Sequence, residues 1–429
     1  MLAQVTDHPA LEAYTHVMSL ISHVAWLGSL LTDRLGSLVE VQYMVPRAVV
    51  AAISAYRYDL AMEWLEQGRA VVWGQMVQLR HDFDDLGAVD QAKAEGLKIL
   101  SNRLDSACLL KGMGGKMPSP LEIYRIIPEH RRLAEEWERQ LKSIRLLPGL
   151  EDFLTPSRAS KLMAMVHDGI VVTINVDSQR CDALIMRAGC QTITHVPLPA
   201  FSQAKAENAR SQLAQSLRSQ DLGRGIKLSS PEHKNMFRDL LCMLWYDLVK
   251  PVLDDLNITE PLPVDCLPHI TWCTTGPLSF LPLHAAGDYN DHSTVLANLA
   301  VSSYTPSISA LSRPIPSTFI GLLAVGHESV IRGFSSLPGA KAELDQVEAH
   351  ANGSKITRLE EGEACCEAVL SAMESHSWVH FACHASQESL NPLLSAFHLH
   401  DEDLDLVKLA RRDSLHQGIA NSAAANRRL

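Results

Sequence analysis

Apolar residues in the first third of the chain recur at intervals of three and four. From Ala10 to about Lys142 strand-like alternation is nearly absent, so this stretch is expected to be helical. The clearest segment is Val45 to Gln78. There Ala51, Ala52, Ala55, Tyr58, Ala61, Leu65 and Val72 fall at spacings that favour two antiparallel helices, and the small alanines allow close approach. Lys111–Pro120 punctuates the pattern as a loop. It is no phosphate cradle, because GxxxxGK[ST] spacing is missing and no apolar strand leads into it. A charged helix follows over Glu129–Ile144, and Leu146–Gly149 ends it.

After about residue 165 the period shortens. Gly169–Val176 and Cys181–Met186 are β-rich runs separated by Asp177–Arg180, the signature of a hairpin. Helical spacing returns over Phe201–Arg218 and Pro231–Leu256. Strand-like runs then appear at His269–Cys273, Thr318–Val325, Ile356–Leu359 and Trp378–Cys383, with helical segments at Ala340–Ala351 and Ala364–Ser375 between the last three. That alternation predicts a parallel or mixed sheet with helices on its faces. The expected organisation is a helical region over residues 1–155, an α/β domain over 165–405, and a polar tail over 406–429.

Composition narrows the function. The chain has 429 residues, 46% of them hydrophobic and 20% charged, as expected for a folded globular protein of two or three domains. Lys plus Arg total 38 against 49 for Asp plus Glu, a formal charge of -11, which disfavours nonspecific attraction to nucleic acid. Nine cysteines are too sparse for a disulfide scaffold, and the adjacent pair Cys365–Cys366 suits a reducing, cytoplasmic setting. The N-terminus lacks a basic segment followed by an unbroken apolar run, so no signal peptide is expected. The most apolar early stretch, Val17–Leu31, is interrupted and too short for a bilayer core of about 30 Å, so no membrane span is expected.

Reactive side chains are densest in Ser375–Ser386. Trp378–Cys383 reads as a buried parallel strand, and in such sheets ligands bind outside the C-terminal ends of the strands. His384 falls at that end, where an imidazole can act as general base toward a thiol. At period two Val379, Phe381 and Cys383 share one face while His380, Ala382 and His384 share the other, so Cys383 is a poor partner for His384. Four strand positions separate His380 from His384 by roughly 13 Å, too far for one zinc ion. His398 and His400 share a face, with no trio of cysteines or carboxylates evident around them. Neither metal nor cofactor is implied.

Four segments carry a family resemblance. Val379–Ala385 followed by Asn391–Leu399, together with Trp272–Gly287 and Leu337–Glu343, resemble blocks of CHAT domains, the caspase-like domains found beside tetratricopeptide arrays. Glu63–Gln75 is similar to what precedes CHAT domains in filamentous-fungus proteins. Arg57–Glu66 looks like the turn and second helix of a tetratricopeptide hairpin, but no clean self-similarity at the period of about 34 residues accompanies it. A degenerate repeat and an ordinary helical hairpin both stay open. The resemblance implies a tetratricopeptide-like helical region followed by a caspase-like mixed sheet flanked by helices. It also puts His384 at the family's general-base position. Thr274, Thr275, Gly276 and Ala385 are candidates to line a substrate groove, and a plain strand-to-helix turn explains the first three equally well.

The resemblance further implies a nucleophilic cysteine on the next parallel strand, some forty or fifty residues beyond the histidine. The chain past Asp405 contains neither a cysteine nor an apolar run able to form a buried strand, and reads as a weak helix and a polar, disordered tail. The α/β domain is therefore expected to be incomplete at its C-terminal end and its nucleophile absent. Cys365 and Cys366 could sit at a helix N-terminus, but Glu361, Glu363 and Glu367 oppose a lowered thiol pKa. Cys273 reads as a buried structural thiol and His284 as a hydrogen-bonded structural histidine, while Cys108, Cys181, Cys190, Cys242 and Cys266 have no evident partner. The expected function is that of a degenerate peptidase-like protein binding a protein partner through its helices, with self-association through an open sheet edge. The alternative is an active cysteine endopeptidase whose dyad is completed by an unexpected cysteine, a second chain or a different C-terminal segment, acting on a peptide or protein substrate.

Overall fold

The computed structural model describes residues 9–411 apart from 30, 70, 80–82, 109–119, 223–230, 290–293, 313–319, 352–354 and 389–393. The expected loop at Lys111–Pro120, the side chain of Cys108, most of Asn391–Leu394 and the tail beyond residue 411 lie essentially outside that set. One compact unit comprises residues 1–216 and 227–312, the other residues 217–226 and 313–429.

The first unit begins with helices α1 (Pro9–Val24), α2 (Leu31–Val41), α3 (Met44–Ser54), α4 (Tyr58–Gly68), α5 (Val71–Leu79), α6 (Asp84–Val89), α7 (Gln91–Cys108), α8 (Pro120–Ile144) and α9 (Ala159–Ala164). The expected helical hairpin is α3–α4. Ala48, Ala52 and Ala61 are fully buried in it, and α3 ends where Tyr56 turns left-handed while Arg57 N–H reaches back to Ala52 O (2.9 Å). A Cβ on Gly68 would sit 2.4 Å from Val45, so glycine lets the end of α4 meet the start of α3.

A five-stranded sheet follows, in the order β3 (Thr194–Pro197), β2 (Cys181–Arg187), β1 (Ile170–Val176), β4 (His269–Cys273), β5 (Val301–Tyr304). The expected hairpin is β1–β2, with Val176 opposite Cys181, whereas β1, β4 and β5 run parallel. Period two divides the side chains of β1 between two cores. Val172, Ile174 and Val176 face the layer built from α10 (Gln203–Leu222), α11 (Pro231–Leu244) and α12 (Lys250–Leu256), and the helix from α11 to α12 widens into a π turn at Trp245–Val249. Val171 faces the other way, onto Met18, Ala52, Trp64 and Leu162 of α1, α3, α4 and α9. Each such buried aliphatic side chain contributes about 1.5–3 kcal/mol. The change of texture near residues 150–165 thus falls inside this unit: the early helices do not stand apart as an arm but form one of the two layers covering the sheet.

The second unit carries the expected strand–helix alternation. β6 (Leu322–Gly326), α13 (Ala340–His350), β7 (Ile356–Glu360), α14 (Cys366–Met373) and β8 (Trp378–Ala382) form a parallel sheet in the order β7-β6-β8. Ala324 and Ala382 pack on Ala340 and Leu344 of α13. Leu323, Val325 and Val379 pack instead on Val369, Leu370 and Met373 of α14. Among the described residues β8 pairs with β6 alone in this sheet. A second, antiparallel sheet of β9 (Ala385–Ser386), β10 (Ala396–His398) and β11 (Asp403–Asp405) continues from it, and α15 (Leu406–Arg411) adds Leu409 to the α14-side core.

Candidate functional site

The order β7-β6-β8 makes a topological switch. The chain leaves β6 through α13 to reach β7 on one side, then crosses through α14 to β8 on the other. A crevice opens outside the carboxyl ends of strands at such a point. His327 follows β6 there, tied by its backbone N–H to Ala382 O (3.1 Å), and His384 lies two residues beyond β8.

Three contacts fix His384. Its Nε2 lies 2.8 Å from Ser335 O, its carbonyl accepts the backbone N–H of His398 (2.8 Å), and its ring stacks on Phe334 with centroids 5.1 Å apart. A carbonyl only accepts, so Nε2 carries the proton and Nδ1 the lone pair. The half-buried side chain therefore presents a basic nitrogen on a ring already held in place. That is the arrangement a general base requires.

The alternation along β8 is as the sequence implies. Val379, Phe381 and Cys383 belong to the core on the α14 side, whereas His380 Nε2 meets Glu343 Oε1 of α13 at 2.9 Å. Burial pushes the Cys383 thiol up to about 12, so it stays protonated at neutral pH. Cys365 caps α14 without a side-chain bond to it, its Sγ lying 3.1 Å from Gly362 O. Cys366 opens α14, but burial pushes it up to about 12, with Glu402 and Asp401 adding to the rise. Ala385 begins β9 opposite Phe397, so its backbone is engaged in pairing with β10.

His327 is buried, and neither ring nitrogen finds a hydrogen-bond partner among the described residues. Glu361 Oε2 stands 3.8 Å from its Nδ1, and its ring stacks on His400 with centroids 5.9 Å apart. Burial lowers its basicity despite the nearby Glu361 carboxylate. His398 has the acidic partner that the sequence left unseen: its Nδ1 lies 2.7 Å from Asp403 Oδ1. Among the described residues no three His, Cys, Asp or Glu side chains converge on a metal-sized site.

The remaining candidates belong to the first unit. The loop after β4 is tied down from within. Thr275 Oγ1 donates to Ile174 O (2.8 Å), Thr274 Oγ1 to Ser279 Oγ (3.2 Å), and Gly276 takes a positive φ of 54°. The Arg69 guanidinium of the segment after α4 donates to Thr274 O (2.7 Å) and Cys273 O (3.1 Å). Cys273 is fully buried and its thiol is pushed up by that burial. His284 is a structural histidine: its backbone N–H donates to the Tyr304 hydroxyl (2.9 Å), which stands 2.9 Å from Nδ1, and burial lowers the imidazole below its ordinary value. Cys181 is pushed up to about 11 by burial, and Cys242 rises for the same reason. Cys190 and Cys266 are exposed and free.

The sequence singles out His384 as a candidate but none of its partners. Ser335 and Phe334 lie 49 and 50 positions upstream, in a turn whose only local signal is Gly333. Asp403 is a surface-type residue in an acidic run, with nothing local to single it out.

The second unit is thus a mixed α/β unit, with a switch point in its parallel sheet and the His384 imidazole at the sheet's rim. Residues 238–422 match the family model of the CHAT domain. The three blocks from Trp272 to Leu399 that resembled this family all lie inside the matched span, and Glu63–Gln75 lies outside it. No curated protein matches the chain. Among solved structures, one similar chain comes from the separase–securin complex of Saccharomyces cerevisiae, at 10% identity and a TM-score of 0.31. The match covers 87% of this chain and 32% of that one. No described helix is long and apolar enough to cross a membrane.

Proposed function

We propose that the CHAT domain of this chain is a cysteine-peptidase-like module that keeps its general base, His384, without a thiolate to serve, and that it acts by binding proteins rather than cutting them. The observation that carries this reading is the state of the thiols in its unit. Cys366 and Cys383 are both pushed up to about 12, Cys383 turns to the face opposite His384, and the Cys365 thiol is engaged with Gly362 O at 3.1 Å. The thiolate is the attacking species, so a base with no thiolate beside it forms no acyl intermediate. The tetratricopeptide-like helices would take the protein partner, and exposed Leu20, Val39, Tyr43 and Tyr56 give them apolar contact surface. The eight described cysteines are all free, in keeping with a cytoplasmic setting.

A second reading has one observation in its favour. His384 keeps a fixed tautomer with its Nδ1 lone pair available, as a working base does, so a thiolate supplied by a second chain would complete a peptidase. Cleavage of a peptide library by the wild-type chain and by His384→Ala separates the two. The binding reading expects no turnover from either protein, and histidine-dependent turnover would refute it.

A further inference from the structure

We infer that Asp403, acting through Arg332 and His398, is the positioning residue that holds the His384 ring in a single tautomer. The inference rests on reading His384 as the base and asks what keeps it there.

Each of the three contacts on His384 leads back to one carboxylate. Ser335 and Phe334 are carried by the tight turn Ile331–Phe334, closed by Phe334 N–H donating to Ile331 O (2.7 Å). Its two central residues both have positive φ, 46° at Arg332 and 89° at Gly333, the pattern of a type I′ hairpin. Glycine adopts that conformation freely, whereas a long side chain such as Arg332 does so at a cost, so the turn gains from an external hold. Arg332 supplies it: its Nη1 donates to Asp403 Oδ1 at 2.7 Å.

From the other side, His398 lies directly across β10–β11 from Asp403, and its Nδ1 meets the same oxygen at 2.7 Å. The backbone N–H of His398 holds the His384 carbonyl, and its ring stacks on Phe334 with centroids 4.2 Å apart. The contacts close a ring: His384, Ser335 with Phe334, Arg332, Asp403, His398, and His384 again. Burial works against the charge on Asp403, but the hydrogen bonds from His398 and Arg332 outweigh it and keep the carboxyl below its ordinary value. Lys408 Nζ anchors the same strand by donating to Asp403 O. Releasing the carboxylate frees the turn on one side and His398 on the other. Ser335 O then drifts from Nε2, and nothing selects one tautomer.

The test is a long-range 1H–15N spectrum of the full chain with 15N-labelled histidine, His384 being assigned as the signal missing from His384→Gln. Wild type is expected to show the pure Nε2–H pattern. Asp403→Ala and Arg332→Ala are expected to lose it and give the averaged pattern of two tautomers, while Phe334→Tyr, which keeps the stacked ring, retains it. Persistence of the single-tautomer pattern in both folded alanine variants would overturn the inference. Should either alanine variant fail to fold, Arg332→Lys decides, since it keeps the charge without the planar donor group: a mixed pattern supports the role of the Arg332–Asp403 link and an unchanged one overturns it. The spectrum needs no turnover, so its outcome is independent of the cleavage experiment on which the binding reading stands or falls.

Discussion

His284 and His384 both lie in segments that follow parallel strands, and the two imidazoles differ in everything that decides whether a histidine does chemistry. His284 sits among the small and apolar residues after β4. One tyrosine hydroxyl accepts its backbone N–H and meets its Nδ1, and burial lowers its basicity. His384 is half-buried, its Nε2–H is spent on a carbonyl, and Nδ1 is left with its lone pair. Position after a strand is therefore common to a structural histidine and to a candidate base. The distinction lies in which nitrogen the neighbours occupy and how much water they exclude.

The largest effect that sharpens this contrast is expected from Tyr304→Phe. The Tyr304 phenol is pushed up to about 12 by burial, so it serves His284 as a neutral hydroxyl. Removing it strands a backbone N–H and a ring nitrogen, at an expected cost of about 1–3 kcal/mol. Urea denaturation of the two proteins measures it. A change within about 0.5 kcal/mol, the range of ordinary surface substitutions, would show that His284 is not locked as described.

A smaller effect follows from acid. The folded His284 imidazole is less basic than an unfolded one, whose pKa is about 6.5, so below that pH the unfolded chain binds a proton that the folded chain refuses. Above about 6.5 both forms are neutral and the group contributes nothing. Stability is lost as pH falls through this value, with a ceiling of about 1.4 kcal/mol per pH unit for one imidazole, reduced here because His284 is only partly buried. His130 and His327, whose basicity burial also lowers, add to the same acid limb. Urea midpoints between pH 7 and pH 5 are expected to fall less steeply in His284→Asn than in wild type. Parallel slopes would remove His284 from the account.

How much of this was legible beforehand depends on distance along the chain. The β6–α13–β7–α14–β8 alternation could be read because each element declares its own period, and the division of β8 into two faces followed from period two. The hairpin β1–β2 was visible in Asp177–Arg180. What could not be read was non-local. That the first helices cover one face of the five-stranded sheet depends on Val171, Leu184 and Met186 meeting Met18 and Trp64, and no periodicity records such a match. Likewise His384 announced itself at the end of an apolar strand. Its setting depends on Ser335 and Asp403, which are ordinary loop and surface residues until the fold brings them together.

The smallest effect expected on stability is that of His384→Ala, and its smallness is the point. The ring is half-exposed and gives one hydrogen bond to a carbonyl that water can also reach, together with one stacking contact. The expected cost is at most about 1 kcal/mol, against the larger loss at Tyr304. Reactivity should run the other way. Diethyl pyrocarbonate acylates an unprotonated imidazole nitrogen that it can reach, so Nδ1 of His384 offers a target while Nδ1 of His284 is covered by the Tyr304 hydroxyl. Peptide mapping of the briefly treated protein is expected to find His384 modified well before His284. Equal labelling of the two, or modification of His284 first, would reverse the comparison and return His384 to the class of structural histidines.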